Sequence, residues 1–189
     1  YVDHSNKKKT FNSHYTGCKN LAEFFLDKKL KSFVQMGSSV EYGNLRSPQK
    51  ESGKCNPKSV YGKAKLLASN YLINLYKRKN FPSTILRLYL AYGPKQDLNR
   101  FLPIIINGCK KNKKFPCSKG NQFRDFVNVK DVADIIIKSL TNKNARGQII
   151  NVGSGKPREL KNIIKYIRKI SNGGYPQFGK IKLRKDEIL

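Results

Sequence analysis

The sequence predicts an α/β fold in which a parallel sheet is covered by helices, and three observations carry that prediction. Short apolar runs rich in β-branched residues alternate with longer segments of helical periodicity, and parallel strands need crossovers of that length. Two polar clusters stand near strand ends, MGSSVEYG at 36–43 and the segment bearing Tyr61 and Lys65, which is where open parallel sheets bind ligands. No apolar run approaches the roughly 20 residues that span a bilayer. The longest, 102–106, already contains Pro103.

Taken in order, residues 11–26 place Leu21, Phe24 and Phe25 at helical spacing, so a helix is expected there. Residues 31–36 (KSFVQM) read as a short buried strand that ends in Gly37, Ser38 and Ser39. Asn56 and Pro57 offer an N-cap and a first-turn proline for a helix whose stripe is Val60, Ala64, Leu67, Tyr71, Leu72 and Leu75. Residues 84–90 (TILRLYL) form the next strand, closed by a turn at Tyr92, Gly93 and Pro94. The same reading expects a helix at 100–109, a strand at 126–129, a helix at 132–140, a strand at 148–152 and a helix at 160–170. The segment 172–179 (NGGYPQFG) is expected to be a long loop.

The 39 Lys plus Arg against 12 Asp plus Glu give a formal net charge of +27, a balance that raises nucleic acid or an anionic membrane as a partner. The lysines are spread from Lys7 to Lys185 among abundant Asn and Ile, which reads as compositional bias rather than a patch. Neither a nucleic-acid nor a membrane partner is therefore expected. The four cysteines, Cys18, Cys55, Cys109 and Cys117, form no C-x-x-C pair, and His4 and His14 are the only histidines. Free thiols in a reducing cytoplasm are expected, with no metal site. Nothing resembles a signal peptide. The chain starts at Tyr1 and stops just after KDE, and both ends read as cut, so a piece of a larger protein is expected.

Tyr61 and Lys65 stand four residues apart, on one face of a helix. A cation beside a phenol favours the phenolate and lowers its pKa from about 10 toward neutrality, which makes the tyrosine usable as a base. A serine at a strand end can hydrogen-bond the same substrate hydroxyl. Y-x-x-x-K alone arises by chance in many helices, and its surroundings decide the matter.

Ser38, Ser39, Tyr42 and Gly43 follow a strand, and after an intervening loop Pro57, Tyr61, Gly62 and Lys65 open a helix. Together these resemble the extended short-chain dehydrogenase/reductases, the NAD-dependent nucleotide-sugar epimerase/dehydratase family. The resemblance continues through Leu86-Arg87, Tyr92-Gly93-Pro94, FRDFV at 123–127 with Val129 and Asp131, NVGSG at 151–155, and Arg184 ahead of Asp186. It covers nearly the whole chain in order. Within the family the pattern looks closest to CDP-abequose synthase-like reductases, with UDP-glucose 4-epimerases beside them.

The resemblance implies a Rossmann-like parallel sheet with helices on both faces, the first βαβ half missing, plus a small C-terminal substrate-binding part in 95–130 and 155–189. It implies that Tyr61 is the general base, that Lys65 holds the nicotinamide ribose and depresses the tyrosine pKa, and that Ser38 bridges substrate and base. Leu88 and Tyr61 join Lys65 on the NAD or NADP side, while Ser39, Leu90, Arg124 and Arg184 face the nucleoside-diphosphate sugar. Guanidinium groups suit a diphosphate. A homodimer is the family expectation.

Three departures qualify it. The glycine-rich phosphate turn that opens the fold is absent, and Gly153-Ser154-Gly155 does not replace it because Arg158 takes the third glycine position. The 189 residues alone are therefore expected to bind NAD(P) poorly. The acid pair that family dehydratases carry after the Ser/Thr position is replaced by Ser39 and Val40, with Glu41 one place late, so 4-epimerase or 4-ketoreductase ranks above 4,6-dehydratase. Leu90 replaces the substrate-binding asparagine of many epimerases. The reading from another class is a non-catalytic basic α/β module that binds RNA or a partner. The charge favours it, and the intact Ser38, Tyr61 and Lys65 set argues against it.

Overall fold

The structure is a computed structural model that describes residues 6–183. Along the chain, α1 (Lys7–Phe11) runs through a π-helical turn (Asn12–Thr16) into α2 (Gly17–Phe24). Strand β1 (Phe33–Ser38) leads to a 3-10 turn (Ser39–Tyr42), and α3 (Val60–Lys79), β2 (Ser83–Leu88), β3 (Leu90–Tyr92) and α4 (Phe101–Lys110) follow. Next come β4 (Lys114–Pro116), β5 (Phe123–Arg124), β6 (Phe126–Asn128), α5 (Val129–Thr141) and β7 (Ile149–Val152). The chain closes with β8 (Arg158–Glu159), α6 (Leu160–Ser171) and β9 (Tyr175–Gln177).

Two compact units result, one of Tyr1–Tyr89 with Asp131–Val152 and one of Leu90–Lys130 with Gly153–Leu189. The first holds a parallel sheet in the order β1-β2-β7. Its register sets Ser38 opposite Leu88 and Leu88 opposite Val152, so three strands end together at the level of Ser38. This is the Rossmann-like sheet with helices that the sequence predicts.

The first unit's core gathers Cys18 and Ala22 of α2, Ala68 and Leu72 of α3, and Phe81 and Ile85. Complete burial of side chains such as Leu72 and Ile85 contributes about 1.5–3 kcal/mol each. In the second unit Ile105 and Cys109 of α4 pack with Phe115, Cys117, and Ile164 and Ile167 of α6.

Several sequence expectations need correction. The helix expected at 11–26 starts earlier, at Lys7, and is interrupted by the π turn; its two parts bury Thr10 and then Cys18 and Ala22, whereas Leu21 and Phe24 are 54% and 64% exposed. Helix α3 starts at Val60, capped by the Ser59 hydroxyl, which accepts from the Gly62 N–H at 3.0 Å. Asn56 instead forms an isolated bridge with Gly43. The buried stripe of α3 is Gly62, Ala64, Lys65, Ala68, Ser69 and Leu72, with Leu67 exposed. The strand expected at 84–90 breaks after Leu88, because the Tyr89 N–H bonds the Val152 carbonyl and Leu90 changes partners. The expected loop at 172–179 contains β9, which pairs with β4 in parallel.

Candidate functional site

Ser38 is the last residue of β1 and caps the 3-10 turn that follows. Its hydroxyl accepts from the Val40 N–H at 3.3 Å, while its own N–H donates to the Glu41 carboxylate at 2.8 Å. This reciprocal capping box fixes Ser38 at the carboxyl end of the sheet, with Ser39 half-buried beside it.

Tyr61 and Lys65 share one face of α3. The Lys65 ammonium lies 5.8 Å from the centroid of the Tyr61 ring and donates to the Met36 carbonyl at 2.7 Å. Met36 sits on β1 two residues before Ser38, so one hydrogen bond ties the helix of the Tyr/Lys pair to the strand of the serine. Burial pushes the Lys65 pKa down, opposed by Glu41 and more weakly by Cys18. Gly62 permits the approach of α3 to the Ser38 turn. A Cβ there would lie 2.8 Å from the Pro57 Cβ and 3.1 Å from both Cγ1 and the carbonyl oxygen of Val40.

The π turn brings His14 edge-on against Tyr61, with ring centroids 4.8 Å apart at 83°. Sequence reasoning considered His14 only as a metal ligand and missed this contact. Among the described residues, no group of three or more His, Cys, Asp and Glu could hold a metal ion.

Sequence reasoning also missed a buried polar network beneath the site. Glu41 is fully buried, and its second carboxylate oxygen accepts from Ser69 Oγ and Arg87 Nε, each at 2.9 Å. The Arg87 guanidinium lies 4.6 Å over the Tyr42 ring, and the Tyr42 hydroxyl donates to Asn151 Oδ1 at 2.7 Å. Burial acts to lower the Arg87 pKa, but Tyr42, Glu41 and Cys55 together outweigh it and raise it above the ordinary arginine value. The signal available in sequence was an arginine inside the otherwise apolar run TILRL.

The sequence-predicted residues divide between the units. Ser38, Ser39, Tyr61, Lys65 and half-buried Leu88 belong to the first, and Leu90 and Arg124 to the second. The Leu90 N–H donates to the Asp125 carbonyl at 3.1 Å, and the Leu90 side chain is 44% exposed. Half-buried Arg124 donates from Nη1 to the Phe123 carbonyl at 2.7 Å. Arg184 lies outside the described residues.

The Gly153-Ser154-Gly155 turn is built around a carboxylate. Asp125 accepts from the Ser154 N–H at 2.7 Å, the Ser154 hydroxyl at 2.6 Å and the Gly155 N–H at 2.8 Å. Those amides are already occupied, so the turn is not a phosphate cradle.

Comparison with known proteins adds the lineage. Residues 2–153 match the profile of the NAD dependent epimerase/dehydratase family. A CDP-abequose synthase of Salmonella muenchen is 32% identical over 106 residues, 55% of this chain and 36% of that protein. A putative UDP-glucose 4-epimerase of Methanocaldococcus jannaschii is 38% identical over 143 residues, 71% of this chain and 45% of that protein. The chain thus spans less than half the length of these curated relatives.

Among solved structures, the UDP-glucuronic acid 4-epimerase of Bacillus cereus, in complex with UDP-glucuronic acid and NAD, matches with a TM-score of 0.81 at 27% identity. That match covers 88% of this chain and 54% of the other. The UDP-N-acetylglucosamine 4-epimerase of Methanobrevibacter ruminantium M1 shares the fold, with a TM-score of 0.87 at 23% identity over 94% of this chain and 58% of the other. Because the profile runs through both the Ser38 turn and the helix of Tyr61 and Lys65, this chain belongs to the NAD dependent epimerase/dehydratase family.

Proposed function

We propose that the protein acts at C4 of a nucleoside-diphosphate sugar as an NAD(P)-dependent 4-epimerase or 4-ketoreductase. The observation that carries this reading is the Lys65 to Met36 hydrogen bond, which ties the Tyr61/Lys65 helix to the strand that ends in Ser38. Lys65 also fits a nicotinamide ribose. Its ammonium has three N–H donors, only one of which is used in a hydrogen bond to the described residues.

In this reading a bound nicotinamide supplies hydride exchange at C4. Tyr61 takes the C4 hydroxyl proton as base and returns it as acid, with Lys65 favouring the phenolate. Ser38 hydrogen-bonds the same oxygen, and Leu88 flanks the cofactor side. Ser39, Leu90, Arg124 and Arg184 are the residues that the family resemblance assigns to the substrate. The four cysteines are free thiols, which suits a cytoplasmic enzyme.

The dehydratase reading ranks second, although a dTDP-D-glucose 4,6-dehydratase of Dictyostelium discoideum is among the relatives, at 26% identity. Glu41, the acid nearest the dehydratase position, is buried and committed to Arg87, Ser69 and the Ser38 amide. Product analysis tests the choice, using the protein in its natural full-length form with nucleotide sugars. A C4 epimer or a 4-hydroxy product from a 4-keto sugar supports the proposal, and a 4-keto-6-deoxy product overturns it. Absence of turnover together with salt-sensitive RNA binding that survives Tyr61→Phe would favour the binding-module reading instead.

A further inference from the structure

We propose that Glu41 is the positioning residue of this site, a buried carboxylate that sets Ser38 in place and stands as the counter-charge to the Lys65 ammonium. The inference rests on the reading of Ser38, Tyr61 and Lys65 given above.

The geometry is specific. One carboxylate oxygen accepts from the Ser38 N–H at 2.8 Å, and the other accepts from Ser69 Oγ and Arg87 Nε at 2.9 Å each. Ser69 lies four residues beyond Lys65 on the buried face of α3, and Arg87 precedes Leu88 on β2. A single side chain therefore joins the turn that presents Ser38, the helix that presents Tyr61 and Lys65, and the central strand. Gly37 leaves room for it, because a Cβ there would fall 2.7 Å from the Glu41 carboxylate.

The charge argument is separate. Lys65 is 9% exposed, and its ammonium meets the Met36 carbonyl from β1, the Tyr61 ring on its own helix, and the fields of Glu41 and of Cys18 from α2. Burial raises the Cys18 pKa to about 11, so that thiol carries no charge at neutral pH. Glu41 is then the anion that acts on Lys65, and its ion pair with Arg87 at 2.9 Å offsets part of that charge. A buried ion pair gains a fold little over an apolar pair of equal volume, because desolvating two charges offsets their attraction. Because its carboxylate also accepts from the Ser38 N–H and from Ser69 of α3, this pair has work to do beyond packing.

Two variants that break the same ion pair separate positioning from a merely structural role. Glu41→Gln removes the anion and leaves Arg87 charged, so the Lys65 titration midpoint is expected to move down. Arg87→Gln removes the opposing cation, so it is expected to move up. The midpoint is read by NMR on protein labelled with ¹³Cε-lysine, assigned through Lys65→Arg, with near-ultraviolet circular dichroism as the check on folding. If Glu41→Gln alone does not fold, the Glu41→Gln/Arg87→Gln double variant is compared with Arg87→Gln, and a downward shift is again expected.

Shifts in the same direction for both single variants, or no shift on loss of Glu41, would overturn the proposal. The titration needs no substrate. Failure of the proposed reaction would instead appear as turnover that persists in Tyr61→Phe while the Lys65 shifts remain as expected.

Discussion

Burial decides the chemistry of single side chains throughout this chain, and the thiols show it most plainly. Burial raises the pKa of all four cysteines, Cys18 furthest, from 9.0 to about 11. A group whose folded pKa is raised stabilises the fold fully below its unfolded value and loses that contribution as pH rises through the folded value. Stability to urea should therefore fall between pH 9 and about 11, and Cys18→Ala should flatten that decline. A decline of unchanged slope in the variant would contradict the assignment. At this scale the placement of Ser38 at a strand end and of Tyr61 and Lys65 on one helical face was legible, since both are local properties. Glu41 and Arg87 were not, because their partnership closes over 46 residues of sequence. The His14 contact depends on a π turn that no local pattern announced.

At the level of elements, the approach of α3 to the Ser38 turn is the critical packing event, and Gly62 governs it. Gly62→Ala would gain up to about 1 kcal/mol of helix propensity. It would also press its Cβ against the Pro57 side chain and the Val40 backbone, and overpacking of that kind costs about 1–3 kcal/mol. The clash involves backbone and should win, leaving the variant less stable by about 1 kcal/mol in urea denaturation. A more stable variant would contradict the packing described. The helices of 101–110 and 160–171 stood out in sequence to within a residue or so, because sustained periodicity marks them. The start of α3 did not, since Asn56-Pro57 mimics a helix opening that the Ser59 hydroxyl actually makes. Strand β9 was invisible because three residues pair with a distant strand from inside a glycine-rich stretch.

For the molecule as a whole, the exposed side chains of the first unit bear on assembly. Leu21, Phe24 and Leu67 on α2 and α3 are 54%, 64% and 42% exposed, although the sequence reading set Leu21 and Phe24 at helical spacing and Leu67 on an apolar stripe. If the homodimer that the family resemblance implies covers Leu21 and Phe24, Leu21→Asp/Phe24→Asp is expected to convert the protein to a monomer in sedimentation equilibrium. A variant with the same mass as the parent would contradict that arrangement. Among the described residues no helix is long and apolar enough to cross a membrane.

The most direct test of the central claim is turnover of a nucleoside-diphosphate sugar by the full-length protein and by its Tyr61→Phe variant, followed through the absorbance of the reduced nicotinamide and the product at C4. Removal of a general acid/base is expected to cost at least about 10²–10⁴-fold in kcat with circular dichroism unchanged. Turnover that survives the loss of that one hydroxyl would contradict the account.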